Sequence, residues 1–530
     1  MQLKNIIGIL LLISILSSCQ KKYEELRILP SNSNFVMTLQ PNILQEKSGV
    51  YNIAETQLYS KILKNTDSSN LVIFNNFKYV FENYEESGIN VTKPIFIFSS
   101  SSHNGYNKIS GINFTLSDKD KFSQLIEKIK NNAYDSLEII KDENLNIMIS
   151  NKNSSKIILA WNNTTVIGLK GISGNNNQTS LIKYIKELFE QSLNKSLSSN
   201  KDFVDFYEKR QDISLWINSK FYIEQLPAEY KTIAKMQMPI SMDDVYLHYF
   251  IKFTKGEIKL KSKMILPEDL TNFLKDYHIV KPHIDTKMMN FIPYNSIMNI
   301  SFAINPPELL RMIRDLYSER QVNTEGMEKL FEMATNMKVE KLFHAISGDL
   351  IINIHGVKII NNVNDSINNK KVKWMFSSIA KLDDKSIYQW LVNQIDSNKD
   401  KMTDGYFVLN ENNNSSLYMC LKNNYVMLTN DKALIVGFSK EHGLAKSLND
   451  SPIAKKINNY SAYAEFNLEY SSYPQDVQQY FNNKYDKKNN ITFKEKISQV
   501  RFEPIDSYTA ELIIEFKDKT KNSLKQIMAN

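Results

Sequence analysis

The residue types that most often carry out chemistry are few in this chain and are rarely close together. Of its seven histidines, only His278 and His283 lie near each other and near an acid, Asp285. Imidazole and carboxylate groups at this spacing can bind a metal ion, but a Lys-Pro pair separates the histidines and no second compact group of ligands follows. We therefore expect a linker here, and no metal or other cofactor. His344 and His355, at a predicted helix end and strand end, are expected to be structural.

The remaining reactive side chains also favour structural roles. Cys420 lies between Met419 and Leu421 in an apolar segment, which is typical of a small buried hydrophobic residue rather than a nucleophile. The adjacent acids Asp243-Asp244 and Asp383-Asp384 would point apart in a strand or cap a helix, so they predict no acid/base pair. The chain has no nucleophile elbow, His-Glu-x-x-His helix, phosphate loop or Cys-x-x-Cys pair. We predict no catalytic residue, and leave open a hydrolase without a local sequence motif.

Aromatic side chains could stack against sugars, as in proteins that bind glycans. Strand and helix patterns predict that the four tryptophans pack in the core instead; these are Trp161, Trp216, Trp374 and Trp390. Three tyrosines in a polar segment are better candidates for an exposed surface, namely Tyr470, Tyr473 and Tyr480.

Two tripeptides could carry a covalent sugar. Asp135-Ser136-Leu137 and Asp365-Ser366-Ile367 are similar to the O-glycosylation acceptor pattern of Bacteroidota envelope proteins. The similarity implies modification at Ser136 and Ser366, and the absence of sugar mass on the native mature protein would contradict it.

The first nineteen residues have the order of an export signal. Lys4 precedes an apolar run from Ile6 to Leu16, and small residues then lead to Cys19. The run is shorter than the roughly 20 apolar residues of a membrane-spanning helix. It resembles the lipobox of bacterial lipoproteins, which implies cleavage before Cys19 and transfer of diacylglyceryl and palmitate chains to that residue. Two or three such chains anchor a protein stably; the alternative is an ordinary signal peptide with a coincidental cysteine.

The residues after Cys19 bear on its location. Gln20-Lys21-Lys22-Tyr23-Glu24-Glu25 is a short charged tether. A lysine followed by acids next to the lipidated cysteine is similar to a Bacteroidota signal for the outer face of the outer membrane, but two lysines and a tyrosine interrupt the acidic run here. We predict a cell-envelope protein anchored in the outer membrane, and leave open whether it faces the periplasm or the exterior.

Composition excludes some classes of partner. The chain has 530 residues, 42% of them hydrophobic, so it can bury large cores and is longer than one typical domain. Its 65 basic and 58 acidic residues are mixed throughout, which is not the basic footprint of a nucleic-acid binder. After Cys19 only Cys420 remains, so no disulfide within the mature chain is available.

Two halves of the chain carry the same landmarks in the same order. Pro30 precedes a predicted strand at 35–39 and a helix that starts at Pro41, and Pro293 precedes a predicted strand at 297–304 and a helix that starts at Pro306. Proline suits a first helical turn because its missing N–H has no helical partner there. The first of these helices is predicted to run toward 63.

Further landmarks follow at offsets of 260 to 265 residues. Helices over 71–86 and 326–346 each end at a Ser-Gly pair, and Asp118 and Asp383 are predicted to cap the next amphipathic helices. Both halves then carry a β-hairpin with a short polar turn and close on two long strands and a helix.

These landmarks predict an α+β fold of two tandem related modules, each a mainly antiparallel sheet covered by helices. We assign residues 1–18 to the signal peptide, 19–27 to the lipidated cysteine and tether, 28–286 to module 1 and 287–530 to module 2.

The chain also resembles a family. Its lipobox, the Leu29-Pro30-Ser31-Asn32-Ser33 segment, the Gln45-Glu46-Lys47-Ser48-Gly49 turn and the duplicated length look like uncharacterised Bacteroidota lipoproteins with a domain of unknown function. The resemblance implies an envelope location and no known catalytic residue. We expect a non-enzymatic binding or scaffolding lipoprotein, with a glycan- or lipid-binding accessory protein as the alternative. Its partners would be the bilayer and an envelope protein or glycan, and not nucleic acid; its oligomeric state stays open.

Overall fold

The described residues form two compact units. A computed structural model of the chain describes residues 23–52, 56, 78, 82–100, 108–132, 137–150, 157–171, 178–225, 244–319, 324–361, 370–395, 402–403, 405–412, 415–485 and 496–528. The first unit takes its described residues from 23–225, 245–252 and 524–528, and the second from 244 and 253–523.

The first unit contains an antiparallel sheet. Its strands are β1 Ser33–Leu39, β2 Ile95–Ser100, β3 Ile109–Thr115, β4 Leu137–Asp142, β5 Leu145–Ser150, β6 Ile157–Trp161, β7 Thr165–Gly171, β8 Ile213–Asn218 and β9 Tyr246–Thr254, of which residues up to 252 belong to this unit. Hydrogen bonding places them in the order β9-β8-β1-β2-β3-β7-β6-β5-β4.

Helices cover the two faces of this sheet. They are α1 Pro41–Ser48, α2 Lys119–Asn132, α3 Gln178–Glu190, α4 Lys201–Glu208 and α5 Lys220–Gln225. Because successive strand residues point to opposite faces, Ala160 of β6 packs in the core beneath α3 and α4 while Trp161 packs beneath α2. Leu26 and Leu29, both 0% exposed, join the first of these cores.

The second unit contains a second antiparallel sheet. Its strands are β10 Glu257–Ile265, β11 Met298–Ala303, β12 Ile346–Asn361, β13 Lys370–Leu382, β14 Met402–Thr403, β15 Tyr406–Asn412, β16 Ser415–Lys422, β17 Tyr425–Thr429, β18 Ala462–Asn467, β19 Ile497–Asp506 and β20 Thr509–Phe516. Their order is β10-β20-β19-β18-β11-β12-β13-β17-β16-β15-β14.

Helices pack on both faces here too. They are α6 Glu268–Lys275, α7 Pro306–Glu319, α8 Glu325–Thr335, α9 Val339–Ala345, α10 Ser386–Ile395, α11 Lys432–Ser439, α12 Pro452–Asn459 and α13 Gln475–Tyr485. The next helix, α14 Ser523–Met528, belongs to the first unit from Leu524 onward. Met427 of β17 joins a core with α11 and α12, whereas the next residue, Leu428, packs with α9 and α10 on the opposite face.

At one end of the second unit's series of strands, β10 pairs antiparallel with β20. Leu260 lies opposite Leu512, Ile258 opposite Ile514 and Ser262 opposite Ala510.

The structure confirms the predicted α+β class and corrects three local predictions. The helix from Pro41 ends at Ser48 rather than running toward 63. Gly49 adopts a left-handed φ of 62°, and its N–H donates to the Gln45 carbonyl, which closes the last turn. The helix predicted over 326–346 is two helices, separated after Asn336, which has φ 52°. Asp384, not Asp383, caps α10, since its carboxylate accepts the Ser386 N–H at 2.8 Å.

Candidate functional site

The predicted modification sites lie outside the described residues. Cys19, Ser136 and Ser366 are not among the positions that the structure describes, so acylation and O-glycosylation stay predictions. None of the described helices combines the length and the apolar character needed to cross a membrane.

Cys420 is buried in β16. Its side chain is 1% exposed, and its thiol donates to the Gly405 carbonyl at 3.2 Å. Burial raises the pKa of this thiol to about 11, so the thiolate that would act as a nucleophile is scarce at neutral pH. The residue fills space between strands, as its sequence neighbours indicate.

The predicted His278, His283 and Asp285 group does not form one site. The ring nitrogen of His283 lies 3.1 Å from the Asn458 carbonyl, whereas the Asp285 carboxylate pairs with Lys381 at 2.9 Å. Within the described part of the chain, no group of three or more His, Cys, Asp or Glu side chains is placed to bind a metal ion.

Asp285 instead belongs to a charged network that fixes the segment before β11. Its carboxylate also accepts the Tyr425 hydroxyl at 2.9 Å, while Lys281 of the same segment pairs with Asp349 at 2.9 Å. Burial alone would raise the pKa of Asp285, but the hydrogen bonds from Lys381 and Tyr425 outweigh it and hold that pKa below its ordinary value. The network binds the segment to β12, β13 and β17.

Two histidine–aspartate pairs were not predicted from the sequence, because the two residues of each pair are far apart in the chain. His248 of β9 lies 3.0 Å from the Asp202 carboxylate, which also accepts the Trp216 indole N–H at 2.9 Å. His355 sits at a β-bulge in β12, 3.2 Å from Asp431, and its hydrogen bond is the main cause of the lowered pKa of Asp431. All these side chains are buried or half-buried.

Four of the aromatic residues that were singled out are packed or hydrogen-bonded within the fold. Trp161 and Trp216 are 2% and 1% exposed, and the Trp390 indole donates to the Thr335 carbonyl. Tyr473 was expected to be exposed, and this is wrong, since only 9% of it is accessible and it packs against Val477. The polar residues around Tyr473 in the sequence do not indicate that it packs against apolar residues of β12 and β13.

A polar groove of about 950 Å³ lies in the first unit between α2 and the hairpin of β4 and β5. We call it the α2 groove. The helix contributes Ser123, Gln124, Glu127 and Asn131, which recur at helical spacing on one face. Trp161 lies at its floor and donates its indole N–H to Ser123 at 3.1 Å.

The hairpin side of the α2 groove is positioned by local chemistry. Its two-residue turn contains Glu143, which has φ 52°, a conformation that few non-glycine residues adopt. An ion pair between Asp142 and Lys186 of α3 attaches the hairpin to the body of the first unit. Asn144 and Asn146 bring amide groups to the groove wall.

Charges in the α2 groove are balanced. Three lysines and three acids line it, and they are Lys119, Lys128, Lys141, Asp120, Glu127 and Glu143. Because opposite charges alternate with amides and a hydroxyl, the groove suits an uncharged ligand rich in hydrogen-bonding groups better than an ion. The sequence analysis considered only the apolar face of α2. The polar residues on its other face were the sequence signal that could have indicated the groove.

Comparisons with known proteins give a family and no activity. A family model described as a domain of unknown function (DUF4836) matches residues 23–524. No curated protein matches the chain. A solved structure described as "Structure of crystal form I of TP0453" is 11% identical over 49% of this chain and 87% of its own, with a TM-score of 0.24, a similarity too low to support an argument.

Proposed function

We propose that this chain, which belongs to the DUF4836 family, is a lipid-anchored cell-envelope protein that acts by binding or scaffolding rather than by catalysis. The proposal includes acylation of Cys19, an outer-membrane location and an origin in Bacteroidota. The charged, apolar, small, cysteine order of residues 1–19 supports it.

The observation that carries the proposal is how soon after Cys19 the side chains are packed in the fold. Tyr23, only four residues after Cys19, already packs against Tyr207, with ring centroids 5.4 Å apart. Leu26 and Leu29 are fully buried. A lipidated Cys19 would therefore lie only four residues before a side chain that is packed in the fold, which suits an anchor placed close to the folded protein.

A tandem duplication is part of the same proposal, and the strand orders support it. When ten is added to each strand number, the series β9-β8-β1-β2-β3-β7-β6-β5-β4 becomes β19-β18-β11-β12-β13-β17-β16-β15-β14, which is the second unit's series without β10 and β20 at its β19 end. Isolated bridges recur as well, Pro30 with Ser196 and Pro293 with Ser447. Residues 28–286 and 287–530 remain the proposed modules.

A binding role is supported by how the reactive groups are used. Asp285, His355 and Cys420 each hold segments of the second unit together, whereas the α2 groove is open and lined by polar groups. A protein that presents such a surface outside a membrane can bind an envelope partner without performing a reaction.

The test is mass analysis of the native mature protein. We expect a chain that begins at Cys19 and carries acyl chains, and a Cys19→Ala variant that loses membrane fractionation. Sugar mass on peptides with Ser136 or Ser366 would support O-glycosylation. A secreted chain with an unmodified residue 19 would contradict the anchor.

Glycan binding in the α2 groove is the second candidate, because its balanced charges and amides suit polyhydroxyl ligands. We expect neutral oligosaccharides to change the fluorescence of Trp161, and the Gln124→Ala/Asn131→Ala double variant to weaken binding at least tenfold. Asn194→Ala, an exposed change on the same unit, is the matched control. Equal affinity in both variants would exclude the groove.

A further inference from the structure

We propose that one face of the first unit lies against the lipid head groups of the bilayer. The inference rests on the proposed anchor at Cys19 and concerns which surface the anchor presents to the membrane. We call this surface the tether face and define it by Tyr23, Leu193, Lys195, Lys209 and Arg210.

Tyr23 is fixed on the first unit by several contacts. Its ring packs edge-on against Tyr207 at 5.4 Å, and its hydroxyl donates to Glu208. The turn that follows carries the fully buried Leu26 into the core. The chain is therefore held in place from Tyr23 onward, and the distance between Tyr23 and the anchor is limited by the four residue steps from Cys19.

The distance between Tyr23 and the anchor is short. An extended chain spans at most about 3.3–3.6 Å per residue, so the four steps from Cys19 to Tyr23 reach about 14 Å. Each head-group layer is about 5–7 Å thick, half the difference between the whole bilayer and its hydrocarbon core. Tyr23 is thus within about 10 Å of the head groups, a distance that a lysine or arginine side chain largely spans.

Two basic residues lie just after Tyr207, the residue whose ring Tyr23 packs against. The Arg210 guanidinium lies 4.0 Å from the centre of the Tyr207 ring and donates to the Tyr207 carbonyl at 2.9 Å. Lys209 is exposed beside it. The nearby acids are engaged within the unit, Glu25 with the Tyr207 hydroxyl at 2.8 Å and Glu24 with Arg27 at 3.2 Å.

An exposed apolar side chain, Leu193, lies on a turn that is hydrogen-bonded to the chain leading from Tyr23. A short helical turn spans Leu193–Lys195, and the Lys195 carbonyl accepts the Ser31 N–H at 3.2 Å, which ties the turn to the chain that leads from Tyr23. Leu193 is 42% exposed and Lys195 is exposed. An exposed leucine among cations fits a head-group surface, because lipid phosphates attract the cations and the acyl boundary accepts the leucine.

Lysine acetylation maps the face without any substitution. The mature chain is coupled through the Cys19 thiol to a maleimide phospholipid in vesicles of phosphatidylethanolamine and phosphatidylglycerol; Cys420 is 1% exposed and does not compete. A water-soluble reagent then acetylates lysines, and mass spectrometry follows each site. We expect acetylation of Lys195 and Lys209 to slow at least fivefold relative to the uncoupled chain.

Lys141 is the internal control. It is exposed on β4, six strands from β1 in the sheet, or about 29 Å at about 4.8 Å per strand, and its rate should change less than twofold. Unchanged rates at Lys195 and Lys209, or equal slowing at Lys141, would overturn the assigned face. Because chemical coupling supplies the anchor, a failure of acylation in cells would refute the proposed function and leave this result standing.

Discussion

At the scale of single residues, two glycines occupy positions where a side chain would collide with backbone. Gly88 has φ 72° and Gly348 φ 86°, and a Cβ on them would lie 2.1 Å from the Asp118 carbonyl oxygen and 2.3 Å from the Ile304 carbonyl oxygen. Both glycines follow a serine whose hydroxyl is used locally. The Ser-Gly pairs noted in the sequence are therefore required by backbone geometry.

Gly348→Ala should lower the free energy of unfolding by about 3 kcal/mol or more, because a left-handed backbone and a backbone clash combine. Gly326→Ala is the matched control, since nothing lies within 4 Å of its Cβ position at the start of α8. Alanine favours a helix, so this change should raise stability by about 0.5 kcal/mol. Urea unfolding measures both, and equal effects would contradict the argument.

Asp285→Asn tests the charged network in the second unit. We expect a loss of about 1–2 kcal/mol at pH 7, because Lys381 and Tyr425 lose an ionised partner at a partly solvated site.

The pH dependence of that loss has a definite sign. The pKa of Asp285 is lower in the folded protein than its ordinary value, so its contribution is fully present above about pH 4 and disappears as the pH falls through the folded pKa. The stabilities of Asp285→Asn and the parent should therefore converge below about pH 4. A gap that is constant down to pH 2 would show that the charge of Asp285 is not the cause.

At the scale of elements, the two sheets differ in one row of buried side chains. Across the first sheet the row is Leu169, Gly111, Phe98, Val36, Trp216 and His248. The row at the same register in the second sheet is Thr429, Ser377, Asn353, Asn299, Glu465 and Arg501. Both side-chain atoms of Asn299 and the Ser377 hydroxyl lack a hydrogen-bond partner among the described residues.

Exchanging the residue types at one position of each row should change the stability of the two units in opposite directions. Asn299→Val should raise the free energy of unfolding by about 1 kcal/mol, because a buried amide without partners costs about 1–3 kcal/mol. Val36→Asn should lower it by about 2–4 kcal/mol, since Val36 is 0% exposed. Urea unfolding would report both, and a destabilised Asn299→Val protein would mean that ordered water or a ligand satisfies Asn299.

The accuracy of the sequence-based predictions differs between strands, helix ends and the α2 groove. Strands were predicted well because alternation and polar turns are local signals; Asn423 and Asn424, with φ 47° and 69°, form the expected hairpin turn. Helix ends were missed where their signal was present but weak, as at Gly49 and Asn336. The α2 groove could not be predicted, because it depends on where the hairpin of β4 and β5 lies beside α2.

At the scale of the whole molecule, the compact units and the proposed modules divide the chain differently. β10 and α6 belong to the second unit although they precede residue 287, and residues from Leu524 onward belong to the first unit although they end the chain. Gln526 is 6% exposed, and the Lys525 side chain lies close to Gly49. The C-terminal helix α14 therefore packs in the first unit, although the other residues of that unit are far from it in sequence.

Deleting residues 524–530 should therefore loosen the first unit. We expect amide exchange to accelerate in α1, which ends at Ser48 just before Gly49, while the hairpin of β16 and β17 in the second unit keeps its rate. Hydrogen–deuterium exchange with mass spectrometry gives both values from one sample. Faster exchange confined to β16 and β17 would mean that the C-terminal helix supports the second unit instead.

Under the tandem duplication that we propose, the antiparallel pairing of β10 with β20, with Leu260 opposite Leu512, has a historical consequence. Antiparallel pairs of edge strands are what identical subunits form at a shared edge. An ancestor half this long would have found that partner only in a sister molecule, at a strength set by its concentration. Fusion of two gene copies would have made the association permanent, and freed each half to diverge on its own.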